Sequence, residues 1–215
     1  MRVFKLVIVM GMLAALLLPL GAAQAAPSSP QDNLMPRYFP ETGYWVQGVF
    51  RQYWETHGGI YIQGYPITAV FQQDGMWVQY FERARFEWHP DNPDPWKVEL
   101  TLLGSLRTAN RHGEQPFQPI PAFANSNDHV YFDATHHALS YGFKTFWNDN
   151  QGIQNFGYPI SEEFTDPQTG YVTQYFERAR FEYHPEFQGT PYEVALGLLG
   201  NQVLTERGWL PAPSP

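Results

Sequence analysis

The residues best equipped for chemistry or recognition in this chain fall into two clusters of arginine, glutamate and histidine beside aromatic rings. The first is Glu82, Arg83, Arg85, Glu87 and His89, flanked by Tyr80 and Trp88. The second is Glu177, Arg178, Arg180, Glu182 and His184, flanked by Tyr175 and Tyr183. Guanidinium forks match carboxylates bidentately, and an aromatic face stacks on a planar ligand for roughly 1–3 kcal/mol. Such a set suits a sugar, whose hydroxyls need polar partners and whose ring faces are apolar. Tyr65 and Tyr158, each inside a Gly-Tyr-Pro-Ile segment, complete the candidate ligand-binding residues. A plainer reading exists for both groups. Arg and Glu on neighbouring strands form ladders worth only about 0.2–1 kcal/mol per pair, and polar ladders of this kind are common. Proline confines the preceding tyrosine to an extended shape, which favours a rigid turn with a packed ring. The residues alone leave recognition and ladder both open, with the ladder carrying more weight.

Catalysis finds less support. A glycosidase needs two carboxylates roughly 5–10 Å apart across a cleft; Glu82 and Glu87 are candidates only in the sense that many surface pairs are. No catalytic residue is therefore expected. For metals, His136-His137 with Asp133 is the only local histidine cluster and no His-Glu-x-x-His spacing occurs, so a solvated loop is expected there, with no metal and no cofactor. The absence of cysteine excludes disulfides and thiolate sites.

The clusters are copies of one another. Gln79-Tyr80-Phe81-Glu82-Arg83-Ala84-Arg85-Phe86-Glu87 recurs unchanged as Gln174 to Glu182. Tyr38-Phe39 matches Tyr131-Phe132, Trp54 matches Trp147, Gly64-Tyr65-Pro66-Ile67 matches Gly157-Tyr158-Pro159-Ile160, and Leu102-Leu103-Gly104 matches Leu198-Leu199-Gly200. The offset grows from 93 to 95 to 96 residues, so insertions fall at two places, expected to be loops. A duplicated polar-aromatic segment points to packing or to paired binding surfaces before it points to one asymmetric catalytic constellation.

At the N-terminus, Arg2 and Lys5 precede an apolar run from Leu6 to Leu20 and the small-x-small triplet Ala23-Gln24-Ala25, the pattern of a secretory signal peptide. The run is shorter than the roughly 20 residues a membrane span prefers, so cleavage is expected over retention as an anchor. The formal net charge is −8, and loss of the leader would leave 11 basic against 21 acidic residues. Nucleic acid, which needs clustered cations, is a poor partner for such a chain. Aromatic residues (17%) outnumber charged ones (16%), which implies extensive ring packing, exposed rings, or both.

Local patterns supply the elements. Trp45, Val46, Val49, Phe50, Tyr53 and Trp54 have helical spacing, with Gly58-Gly59 ending the helix; Leu139, Phe143, Phe146 and Trp147 repeat the stripe, ending near Gly152. Ala69 to Phe81 reads as a hairpin turning on Asp74-Gly75, which the longer tip Thr165 to Gly170 replaces in the second copy. Arg85 to His89 would add a third strand after a bend at Glu82-Arg83-Ala84. Asp94-Pro95 and Thr190-Pro191, the latter with Glu193 as a capping box, predict the start of a second helix carrying Val98, Leu102, Leu103 and Leu106, or Val194, Leu198, Leu199 and Val203.

The fold expected is α+β, two tandem homologous modules, each helix, three-stranded antiparallel meander, helix, in contact through their aromatic stripes. Its parts are a signal peptide over 1–25, a disordered linker over 26–37, a first module over 38–113, a Pro-containing connector over 114–130, a second module over 131–209 and a disordered tail over 210–215.

Thr42-Gly43-Tyr44, Trp54, His57-Gly58-Gly59, Gly64-Tyr65-Pro66 and Phe81-Glu82 through Trp88-His89-Pro90 together resemble the LGFP repeat of actinobacterial cell-wall proteins. The chain is more similar still to secreted repeat proteins of Chloroflexi-type bacteria that share a Tyr-Phe-Glu-Arg-Ala-Arg-Phe-Glu core. It departs from the LGFP pattern at Gln63 and Phe156, where that family has leucine, at Tyr65 and Tyr158, and at the bend Arg83-Ala84, where it has Asn-Gly. What the resemblance implies is attachment to the cell envelope. The function expected is a secreted, non-catalytic binding module for cell-wall glycan or another polysaccharide, with no membrane contact after cleavage. The alternative is a structural or protein–protein interaction repeat, and a secreted glycoside or wall hydrolase comes third.

Overall fold

The computed structural model describes residues 34–210. The expected leader, most of the N-terminal linker and the tail from 211 lie outside the described residues.

A two-stranded hairpin opens the described chain: β1 (Arg37–Phe39) pairs with β2 (Tyr44–Val46). Helices α1 (Gly48–Thr56) and α2 (Gly59–Ile62) follow. A four-stranded antiparallel sheet comes next, in the order β3 (Phe71–Gln73), β4 (Met76–Tyr80), β5 (Arg85–Trp88) and β6 (Val98–Leu100), and then α3 (Leu103–Thr108). The same sequence of elements then recurs. It comprises the hairpin β7 (His129–Phe132) and β8 (His137–Ser140) and the helices α4 (Tyr141–Asp149) and α5 (Gly152–Asn155). The sheet of β9 (Phe164–Thr165), β10 (Val172–Tyr175), β11 (Arg180–Tyr183) and β12 (Val194–Leu196) follows, and α6 (Leu199–Glu206) ends the series. The protein is thus mixed α+β.

The hairpin on Asp74-Gly75 forms where the sequence predicts it: both residues have positive φ, 53° and 80°, as a two-residue turn between twisted strands requires. Three expectations are corrected. Trp45, Val46 and Leu139 sit in β2 and β8, and the first helix of each half starts only after them. A short helix, α2 or α5, follows each αL residue, Gly58 or Gln151. The segments after Asp94-Pro95 and Thr190-Pro191 do not start helices, so each meander has four strands. Val98 and Leu100 are buried around half-exposed Glu99, a period of two that makes an edge strand, and the helix waits until Leu103. The Thr190 hydroxyl instead accepts from the Tyr192 amide (3.2 Å) and donates to the Phe187 carbonyl (2.7 Å), closing a local turn.

Each aromatic stripe packs on the sheet of its own half: Phe50 meets Phe86 edge to face at 5.9 Å, and Phe143 meets Phe181 at 5.7 Å. The halves also meet by exchanging helices. The Ser105 amide of α3 donates to the Glu177 carbonyl (3.0 Å), and the Asn201 amide of α6 donates to the Glu82 carbonyl (3.2 Å). Gly104 and Gly200 allow this approach. A Cβ there would lie 1.8 Å from the Phe176 carbonyl oxygen and 1.9 Å from that of Phe81. Leu204 of α6 is buried with Ile67, Val78 and Tyr80 of the first half, and Ile62 of α2 is buried with Phe146, Phe156 and Phe181 of the second. In the connector, Phe117 is buried against Phe164 and Tyr175 under the Arg111 guanidinium, so this segment also packs.

Candidate functional site

The repeated nonapeptide runs through the interior. Gln79, Tyr80, Phe81 and Phe86 are at most 1% exposed, and their copies are similarly enclosed. The buried amide of Gln79 donates to the carbonyls of Trp45 (2.8 Å) and Thr68 (3.0 Å), and Gln174 repeats this toward Ala138 and Ser161, tying hairpin to sheet. Glu82 accepts from the Tyr65 amide at 3.0 Å, and Glu177 from the Tyr158 amide at 3.0 Å. The Tyr65 and Tyr158 rings pack on Phe39 and Phe132. Glycine is needed before each tyrosine: Gly64 has φ +82°, and a Cβ would fall 2.7 Å from the Glu82 side chain.

Arg85 and Glu87 form a nearly buried ion pair that also engages the Thr101 hydroxyl, with His89 Nε2 3.2 Å from the other Glu87 oxygen. Arg180 pairs with Glu182 through Nε at 2.7 Å and donates to the Tyr175 hydroxyl at 3.4 Å. Burial opposes the Arg180 charge, but Glu182 and Tyr175 outweigh it and hold the guanidinium above its ordinary value. Tyr80 donates to Gln73 (3.1 Å), Tyr183 packs on the second core, and His184 lies against Tyr171 with Nδ1 2.9 Å from Glu186. Of the predicted site residues, those that reach an open cleft are Arg83, Arg178, Trp88, Arg180 and Glu182. Elsewhere, His136 and His137 bond to Tyr131 and Glu162, and no group of three His, Asp or Glu among the described residues is placed to hold a metal ion.

Arg178, in the bend between β10 and β11 of the second half, lines a cleft of about 260 Å³ in the first. Its other walls include Tyr53 from α1 and His57 just after it, Trp96 and Glu99 from the strand-leading loop and β6, and Gln154 from α5. The Tyr53 and His57 rings stack at 3.7 Å, 6° from parallel. Trp96 is 51% exposed, its carbonyl accepting from Asn92 Nδ2 (3.1 Å), which also donates to Glu99 (2.9 Å). Burial holds the Tyr53 hydroxyl well above its ordinary pKa, against the pull of Arg178 and with a smaller push from Glu99. Burial likewise holds His57 below its ordinary value, opposed by its bond to the Tyr53 carbonyl. Both are therefore neutral near pH 7. A second hollow of about 280 Å³ shares Tyr53, His57, Pro95 and Val98 and continues past Trp88 and Lys97, so the two form one groove.

The second half has the matching cleft, about 310 Å³, with different walls: Phe146 for Tyr53, Tyr192 for Trp96, Ala195 for Glu99, Tyr61 for Gln154 and Arg83 for Arg178. The Tyr61 hydroxyl is engaged by the Pro191 carbonyl. Sequence reasoning missed Tyr53, His57, Trp96, Glu99 and Gln154 as site residues. Their one signal was divergence between copies at aligned positions, while attention went to what was repeated.

Compared with known proteins, the chain matches no family model and no curated protein sequence. Among the described residues, no helix is long and apolar enough to cross a membrane.

Proposed function

We propose that the chain is a secreted, non-catalytic binding module that takes a segment of polysaccharide, such as cell-wall glycan, in the first-half groove. The observation that carries this reading is the half-exposed Trp96 indole, set beside the stacked Tyr53 and His57 rings and the polar ends of Glu99, Gln154 and Arg178. Rings offer apolar faces to sugar C–H groups while the carboxylate, amide and guanidinium serve hydroxyls, the mixed lining typical of small-ligand sites. The leader sequence supports export, and the LGFP-like motifs support a place at the envelope. In this reading the halves are tandem homologous modules, a view supported by their common order of elements and the shared nonapeptide.

The nonapeptide itself serves as scaffold, because its carboxylates are committed. Glu82 is engaged by Tyr65 and Glu87 by Arg85 and Thr101, which argues against these two as the acid pair of a hydrolase. Retention on purified wall material and on insoluble polysaccharides tests the proposal. The wild type should be retained, and Trp96→Ala should weaken retention about fivefold or more with its melting temperature unchanged, since a stacked ring is worth roughly 1–3 kcal/mol. No retention of folded protein on any of these materials would move the assignment to the protein–protein interaction repeat.

A further inference from the structure

The charges that line the Trp96 groove cancel. Arg178 and Glu99 stand in the inner cleft, and Lys97 and Asp94 in the hollow that continues from it. Lys97 Nζ lies 3.5 Å from an Asp94 oxygen, and after burial the next influences on the Tyr53 hydroxyl are Arg178 and Glu99, of opposite sign. Arg178 is also partly engaged within the protein. Its Nη1 donates to the Ile153 carbonyl (3.4 Å) and lies 3.7 Å from a Glu177 oxygen. A carboxylate or phosphate is best held by two parallel N–H bonds from a free guanidinium edge, and one nitrogen of this guanidinium is already occupied.

The matching cleft of the second half serves as a control inside the same molecule. Among the residues described there, Arg83 is the one charged lining group, and Ala195 takes the place of Glu99. The arginine is thus common to both clefts, while the carboxylate beside it belongs to the first alone.

From this balance we infer that the groove selects uncharged glycans and rejects polymers that carry carboxylate, sulfate or phosphate. The inference rests on the polysaccharide reading and adds the chemical class of the sugar. Asn92 Nδ2 holds one Glu99 oxygen at 2.9 Å, and the other accepts a sugar hydroxyl in a charge-assisted bond. A ligand carboxylate in the same place would meet Glu99 as a like charge. The formal net charge of −8 acts in the same direction at longer range, repelling a polyanion before it reaches the groove.

The test is depletion of the full chain onto matched insoluble materials: cellulose against cross-linked carboxymethyl cellulose, and purified wall material before and after amidation of its carboxyl groups. The wild type should prefer the uncharged member of each pair that retains it. That retention should change less than about twofold between about 20 mM and about 500 mM salt, a range over which screening removes most attraction between exposed charges. Glu99→Gln keeps an acceptor for Asn92 and removes the charge. It should raise the ratio of anionic to uncharged retention about threefold or more at low salt, the effect of one charge at a partly solvated site, with the melting temperature unchanged. Preference for the carboxylated member, retention that falls about tenfold with salt, or a ratio that folded Glu99→Gln leaves unmoved would overturn the inference while leaving the polysaccharide reading in place. Retention of folded wild type on none of the four materials would instead overturn both.

Discussion

In the first half the cleft beside α1 is walled by Tyr53, His57, Trp96 and Glu99; at the aligned positions the second half has Phe146, Asn150, Tyr192 and Ala195. Between these walls the backbone scaffold is the same down to single bonds. The Trp54 indole donates to the Gly64 carbonyl at 2.9 Å, and Trp147 donates to Gly157 at 2.9 Å. The bends bond alike through Glu82 and Glu177. The contrast separates two kinds of residue within one duplication. Most of those repeated without change are buried and hold hairpin, helix and sheet together, the arginines Arg83 and Arg178 being cleft-lining exceptions; those that differ give the matching clefts their different walls. Under the proposed function it leaves one polysaccharide site per chain, because Ala195 and Tyr61 stand where the first cleft has Glu99 and Gln154.

The sharpest way to break the comparison is at the exchanged helices. Gly104→Val and Gly200→Val would each force a side chain against a carbonyl oxygen of the other half. Each should cost about 3 kcal/mol or more, lowering the melting temperature by about 6–12 °C for a domain of this size. Gly113→Ala, with no atom near its Cβ position, should change it little. Two halves that melted separately, with only one affected by each substitution, would contradict the exchange.

Next in size come the ion pairs. Arg85→Ala and Arg180→Ala each leave a nearly buried carboxylate unpaired, which should cost about 2–3 kcal/mol once partial exposure is allowed for. The second-half variant should suffer more, by about 1 kcal/mol. Glu87 keeps the Thr101 hydroxyl, whereas the second half has Gly197 at that position, which offers Glu182 no hydroxyl. Chemical denaturation of the two variants side by side measures the difference.

Much of this was legible in the sequence, and the failures have physical causes. The hairpin at Asp74-Gly75 was readable because positive φ at both turn residues restricts their identity. The edge strands β6 and β12 were not, because three residues with two buried ends give too short an alternation to outweigh the proline and cap signals before them. The helix exchange was invisible, since Gly104 and Gly200 read as ordinary helix residues until the opposing carbonyls are in place. Arg85 and Arg180 looked like ligand-binding groups because sequence gives their charge and not their burial. Trp96 carried no motif at all.

The smallest expected effect concerns pH. His57 titrates below its ordinary value of about 6.5 in the folded chain because it is partly buried, so the unfolded chain takes up the proton first as pH falls. Its contribution to stability is therefore full above pH ~6.5 and declines as pH drops through that value toward the folded pKa. His57→Asn, the second half's residue, should remove this share from the stability difference between pH 7 and pH 5, so that the variant loses less stability on acidification than the wild type. Thermal unfolding at both values checks it.

The central claim is that the repeated nonapeptide carries the fold while the Trp96 groove carries recognition. Depletion of wild type, Trp96→Ala and Arg85→Ala onto an insoluble polysaccharide that retains the wild type, with melting temperature recorded on the same samples, tests it most directly. The account predicts that Trp96→Ala loses retention with an unchanged melting temperature, and that Arg85→Ala melts lower while its folded fraction is retained like the wild type. Loss of retention in folded Arg85→Ala, with Trp96→Ala binding normally, would contradict it.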